Sequence, residues 1–164
     1  MKIRTFAFLT VAAVGLLSAC GEDSAEVSKT DAADADPALV EQVEARQANF
    51  QDMGAAFKAI NDELKAGRPD STTTNFSIDS VVRYGGQVQD WFPVGSGPEL
   101  GIKMEAKAVI WEEPEDFEAR LAQFEEALID LDAAKGGDAE TVQAAFRKTG
   151  AACKACHDKY REED

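Results

Sequence analysis

The chain has 164 residues, of which 31 are acidic and 17 basic, giving a formal net charge of −14, with one histidine and three cysteines. A surface this negative argues against nucleic acid as a partner, because a phosphate backbone is held by an excess of Lys and Arg.

Lys2 and Arg4 precede an apolar run from Phe6 to Leu17, and residues 1–19 read as a signal peptide. The run is short for a bilayer span. Its ending, Leu17-Ser18-Ala19-Cys20, resembles the lipobox of bacterial lipoproteins, where the cysteine is lipidated and becomes the new N-terminus. Plain cleavage after Ala19, leaving a terminal free cysteine, is the other reading. Lipidation of Cys20 places the mature chain in the periplasm, touching a bacterial membrane through the lipid anchor only, and Gly21 in place of Asp favours the outer membrane. Residues 20–36 are rich in Ser, Ala, Asp and Glu without an apolar face, and read as a lipidated flexible tether. Removal of the leader takes Lys2 and Arg4 with it, so 15 basic residues face 31 acidic ones and the net charge becomes −16. That field repels anionic headgroups and could steer a basic redox protein, although solubility alone is the simpler reason for an acidic surface.

Residues 37–164 are enough for one domain with its own core, and no internal repeat divides them. After Pro37, Leu39, Val43, Arg46, Phe50, Met53, Phe57, Ile60 and Leu64 step by four and three, the pattern of a bundle helix. A second helix is predicted from Ser77 to Trp91, with Ile78, Val81, Gly85, Val88 and Phe92 on one face. A third follows Pro114 with Phe117, Leu121, Phe124, Leu128 and Leu131, stopped by Gly136-Gly137. The fourth opens at Asp138, a fitting N-cap, with Val142, Ala145, Phe146, Thr149, Cys153, Cys156 and Tyr160 inward. Four amphipathic helices predict an all-α fold, an antiparallel four-helix bundle.

Cys153-Lys154-Ala155-Cys156-His157 spells CxxCH, the sequence at which haem c is covalently attached. Two cysteines three apart add across the two haem vinyl groups as thioethers, and the following histidine ligates the iron. A thioredoxin-like dithiol would normally open a helix beside a parallel strand, and no strand pattern surrounds this motif. A structural zinc needs four protein ligands, and beyond the motif the chain offers only Cys20. Chance occurrence on a helix is the third rival. On a helix both thiols and His157 point into the bundle, making one covalent haem part of the core. Arg161, one turn beyond His157, lies beside the imidazole or a propionate, or else is solvated in a fraying terminal turn. Arg46 interrupts the apolar seam of the first helix, and an unpaired buried charge costs several kcal/mol, so an anion should meet it. A haem propionate is one partner; an Asp or Glu on a neighbouring helix is the other. Core packing alone explains Phe50 and Met53.

The C-terminal CKACHDKYR, Arg46-Gln47 in the first helix, WFPVGSG at 91–97 and AVIW at 108–111 together resemble cytochromes c′ over nearly the whole mature domain. The resemblance implies a four-helix bundle, often a homodimer, with haem on the periplasmic side and His157 as the fifth iron ligand. In such proteins the sixth position is empty and shielded by an apolar side chain four residues after the first-helix arginine, whereas low-spin relatives carry a ligating methionine there. Here that residue is Phe50, which cannot coordinate iron and implies a five-coordinate haem under a hydrophobic cover. Met53, one turn on, is the alternative sixth ligand. Arg161 matches the family's proximal arginine.

Two functions follow. An open apolar site suits small neutral diatomics, nitric oxide and carbon monoxide, selected by steric exclusion. A buried haem with Met53 bound suits an electron carrier with a redox protein partner. With a single histidine and no paired acid and base near the iron, an enzyme is not expected.

Overall fold

The computed structural model describes residues 35–163, so the signal peptide, Cys20 and most of the proposed tether lie outside the described residues. Helix α1, Pro37–Lys65, starts where the Asp36 side chain accepts a hydrogen bond from the Ala38 N–H at 2.9 Å, with Pro37 in the first turn. Asp36 is thus a helix cap as well as the end of the acidic segment. Val43, Arg46, Met53 and Ile60 form the buried stripe of α1. The turn after it is tied by Glu63, which accepts from Arg68 at 2.6 and 2.9 Å and from the Ser71 hydroxyl at 2.6 Å.

Helix α2 runs Thr72–Gly85, five residues earlier at its start and six at its end than the expected Ser77 to Trp91. Ser71 sets the start by accepting from the Thr74 N–H at 3.0 Å, a signal masked by the polar run Thr72 to Asn75. Gly85-Gly86 sets the end, and Val88–Trp91 forms a separate 3₁₀ turn. A second 3₁₀ turn, Pro98–Leu100, lies in the long connection to α3, a single turn at Val109–Glu112 that precedes Pro114. Helix α4, Pro114–Ala133, ends before Gly136, whose φ of 75° is left-handed, as the glycine pair suggested. Helix α5, Ala139–Tyr160, is capped by Asp138, which accepts from the Thr141 N–H at 2.8 Å. The chain then leaves in extended backbone. Arg161 pairs antiparallel with Ala106, with Lys107 N–H donating to the Tyr160 carbonyl at 2.9 Å and Glu162 N–H to the Glu105 carbonyl at 2.8 Å.

The one-turn α3 apart, the long helices form the expected four-helix bundle, with α1 against α2, α4 against α5, and α2 against α4. Ile60, Ile78 and Leu131 are fully buried at its centre. Burying each such side chain contributes about 1.5–3 kcal/mol. Thr149 is accommodated on the inner face of α5 because its hydroxyl donates to the Ala145 carbonyl at 3.0 Å or the Ala127 carbonyl at 3.2 Å. Where α5 meets α1, Phe57 stacks on Phe146 with centroids 4.2 Å apart.

Gly85 permits the close approach of α2 to α4, since a Cβ there would lie 2.4 Å from Leu128 Cδ1 and 3.1 Å from Phe124 Cε1. Both neighbours are buried and cannot swing into solvent. Gly85→Ala is therefore expected to destabilise the fold by about 1–3 kcal/mol, read as a lower urea midpoint; an unchanged midpoint would show that the helices separate freely.

Candidate functional site

Three of the predicted site residues lie on the last turns of α5. Cys153 and Cys156 are free thiols, half-buried, and pack against the edge of the core. Burial pushes both up to about 11, Cys153 also through the neighbouring Cys156. At neutral pH they are uncharged, the reverse of the lowered thiol pKa that marks a redox dithiol. His157, expected to face into the bundle with the two thiols, is instead exposed on the last turn of α5, yet partial shielding of its ring, followed by the Arg161 charge, holds its pKa below the ordinary value. A neutral imidazole is the form that binds metals. Two neutral thiols three residues apart, on the apolar edge of a bundle and next to a neutral histidine, fit the covalent and axial contacts that haem c requires.

The other predicted site residues lie on helix α1, against the loop after α2. Phe50 is half-buried and meets Trp91 edge-on, with centroids 4.9 Å apart at 85°, and Phe92 at 6.2 Å. Met53 turns instead into the core. Arg46 is 3% exposed, a depth that an unsatisfied cation could not occupy. Its Nη1 donates to the Trp91 carbonyl and the Ser96 hydroxyl, both at 3.2 Å, and its Nη2 to the Ser96 carbonyl at 3.1 Å and Met104 Sδ at 3.7 Å. The guanidinium also lies 4.7 Å from the Phe92 ring centroid and 5.8 Å from that of Trp111. Burial alone lowers its pKa to about 10. The Asp or Glu expected as one partner is replaced by neutral acceptors, which satisfy the donors without neutralising the charge.

The loop is itself cross-braced. Ser96 donates to the Pro93 carbonyl at 2.8 Å, Trp111 Nε1 donates to the same oxygen at 3.1 Å, and a Cβ on Gly97 would come within 3.0 Å of the Trp111 ring. Phe92 continues the aromatic contacts through Phe117 to Tyr160, each step 5.1 Å between centroids. The Tyr160 hydroxyl donates to Asp116, which also accepts from Lys159 at 2.9 Å. The loop is thereby joined to the end of α5.

Arg161 is not a fraying terminus. The bridge to Ala106 holds its backbone, its Nε donates to Glu105 Oε2 at 2.7 Å, and it borders an open surface hollow of about 280 Å³ together with His157, Asp158, Glu162 and Glu163. A larger hollow of about 400 Å³ between α2 and α4, lined by Val82, Leu128 and Ile129 among others, shares no residue with this site. Sequence reasoning missed Ser96, Glu105 and Asp116 as supports, although the WFPVGSG run marked the loop that Arg46 grips.

A sequence profile described as Cytochrome C′ matches residues 41–161. Cytochrome c-554 of Cereibacter sphaeroides is 42% identical over 73 residues, covering 44% of this chain and 48% of that protein, so the chain spans about half of that relative's length. Cytochrome c′ of Rhodospirillum rubrum is 31% identical over 140 residues, covering 84% of this chain and 92% of that one. Among solved structures, a nitric oxide complex of a mutant cytochrome c prime from Alcaligenes xylosoxidans superposes with a TM-score of 0.67 at 25% identity, covering 76% of this chain and 97% of that one. Profile, full-length relative and bundle geometry agree: the chain belongs to the cytochrome c′ family, and its cofactor is the covalently bound haem c of that family.

Proposed function

We propose that this protein binds small neutral diatomic gases, nitric oxide and carbon monoxide, at a five-coordinate haem attached through Cys153 and Cys156 and ligated by His157. The observation that carries this reading is Phe50, a side chain without a donor atom, at the position four residues after Arg46 and braced by Trp91 and Phe92. Haem supplies an iron that takes a diatomic ligand at its free position or passes an electron. Phe50 offers water no hydrogen bond and penalises bulky ligands by contact, so a neutral diatomic enters with least cost. Arg46, its charge uncompensated by the neutral loop acceptors, would supply the counter-charge for a propionate. Arg161, held by Glu105 beside the open hollow that His157 lines, would border the proximal ligand. The mutant cytochrome c prime from Alcaligenes xylosoxidans forms a nitric oxide complex, which supports carrying that ligand class to this chain.

The electron-carrier reading requires Met53 as sixth ligand. Its burial among Ile60, Ile78 and other core residues favours packing over ligation. We also read the chain as exported to the periplasm and held there by lipid on Cys20, working as a binding protein rather than an enzyme.

The first test is the optical spectrum of purified ferric and ferrous protein with and without carbon monoxide. A high-spin spectrum that shifts with carbon monoxide is expected, whereas a low-spin spectrum unmoved by it would establish a bound sixth ligand and the carrier function. His157→Ala is expected to abolish the native spectrum while the haem stays covalently attached; an unchanged spectrum would sink the axial assignment. Phe50→Ala should speed carbon monoxide association by about tenfold, equivalent to about 1.4 kcal/mol of barrier. An unaltered rate would mean that Phe50 does not cover the iron.

A further inference from the structure

Phe50 is one helical turn from Arg46, and the two residues approach the same loop from α1. The rings that hold Phe50 are those of Trp91 and Phe92. Arg46 grips both residues by other atoms: it binds the Trp91 carbonyl at 3.2 Å and lies 4.7 Å from the Phe92 ring centroid. Its other donors reach Ser96, fully buried at the far end of the same turn, whose hydroxyl ties back to the Pro93 carbonyl at 2.8 Å. One rigid fork therefore spans the loop from residue 91 to residue 96, with two nitrogens on backbone carbonyls and its plane beside an aromatic face.

A phenyl ring at the edge of a bundle has rotational freedom unless its neighbours are fixed. Trp91 is 4% exposed, so the surface against which Phe50 rests moves only if the loop moves. We infer that Arg46 is a positioning residue for gas entry: by clamping the 91–96 loop it fixes Trp91 and Phe92, and through them the angle at which Phe50 covers the ligand position. This rests on the proposed role of Phe50 and adds a specificity determinant that touches neither gas nor iron.

A lysine cannot reproduce the clamp. It keeps the charge but presents a single ammonium in place of a planar fork, and would leave the Trp91 or Ser96 carbonyl without its donor.

The test is a double-mutant cycle on the haem-loaded protein, with carbon monoxide association to the ferrous form and near-ultraviolet circular dichroism of the tryptophans as readouts. Arg46→Lys and Ser96→Ala, milder changes chosen because Arg46→Met could prevent folding, should each speed association by about threefold or more and alter the tryptophan signal. In a Phe50→Ala background neither should change the rate further, because the cover they position is gone. Equal acceleration in both backgrounds would overturn the inference by showing that Arg46 acts apart from Phe50, through the haem charge for instance. A normal rate in both single variants would also overturn it. If Phe50→Ala alone leaves the rate unchanged, the covering role of Phe50 fails, and the inference falls with it. That outcome is distinct from a Phe50 effect that Arg46 does not share.

Discussion

A guanidinium buried in the seam of a helical bundle imposes conditions on everything around it. Each of its N–H groups needs an acceptor whose direction matches the fork, and the interior side chains of a bundle, mostly aliphatic, supply none. Arg46 solves this with the Trp91 and Ser96 carbonyls, left open where the 3₁₀ turn ends and the loop begins, and with the Ser96 hydroxyl and Met104 sulfur. The bundle must therefore bring an irregular segment inward at that level of α1. The stop at Gly85-Gly86, the 3₁₀ turn that follows and the inward-facing Ser96 together provide that segment. A loop that would otherwise ride on the surface becomes part of the interior, and its aromatic residues become wall material.

The two groups of predicted site residues are held in place by different physics. On the α1 side, rings and a caged cation form a dry wall in which each polar group has a fixed partner. On the α5 side, His157 is open to solvent, and Arg161 and Glu105 form an exposed ion pair worth at most about 1 kcal/mol by itself. Stiffness there comes from the two backbone hydrogen bonds of the bridge to residues 105–107. Chemistry that depends on excluding water is favoured beside the first group, and chemistry that depends on charge beside the second.

The elements that could be read from sequence are those whose information is local. The repeat from Leu39 to Leu64, the Asp138 cap and the Gly136 stop each declare themselves within a few residues, and the helices follow them. Helix α2 lies earlier than its apolar periodicity indicates because its apolar face covers only its second half, while Ser71 caps a polar first turn. CxxCH is equally local. The oddity of Arg46 was visible as a charge in an apolar stripe, but its partners were not, because a backbone carbonyl leaves no mark on sequence. Glu105 with Arg161 and Asp116 with Tyr160 are separated by 56 and 44 residues, and nothing in either segment points to the other.

The antiparallel bridge between Ala106 and Arg161 also has a bearing on assembly order. The α1–α2 and α4–α5 pairs are joined by short turns and close small loops, so each hairpin can form from nearby contacts. The bridge instead joins the connection before α3 to the residue just after α5, a contact of longer range than those within either hairpin. Cys153, Cys156 and His157 lie just before that point. Cys153 and Cys156 are already seated on the core edge by the pairing of α5 with α4, and the bridge adds a second hold one turn beyond His157.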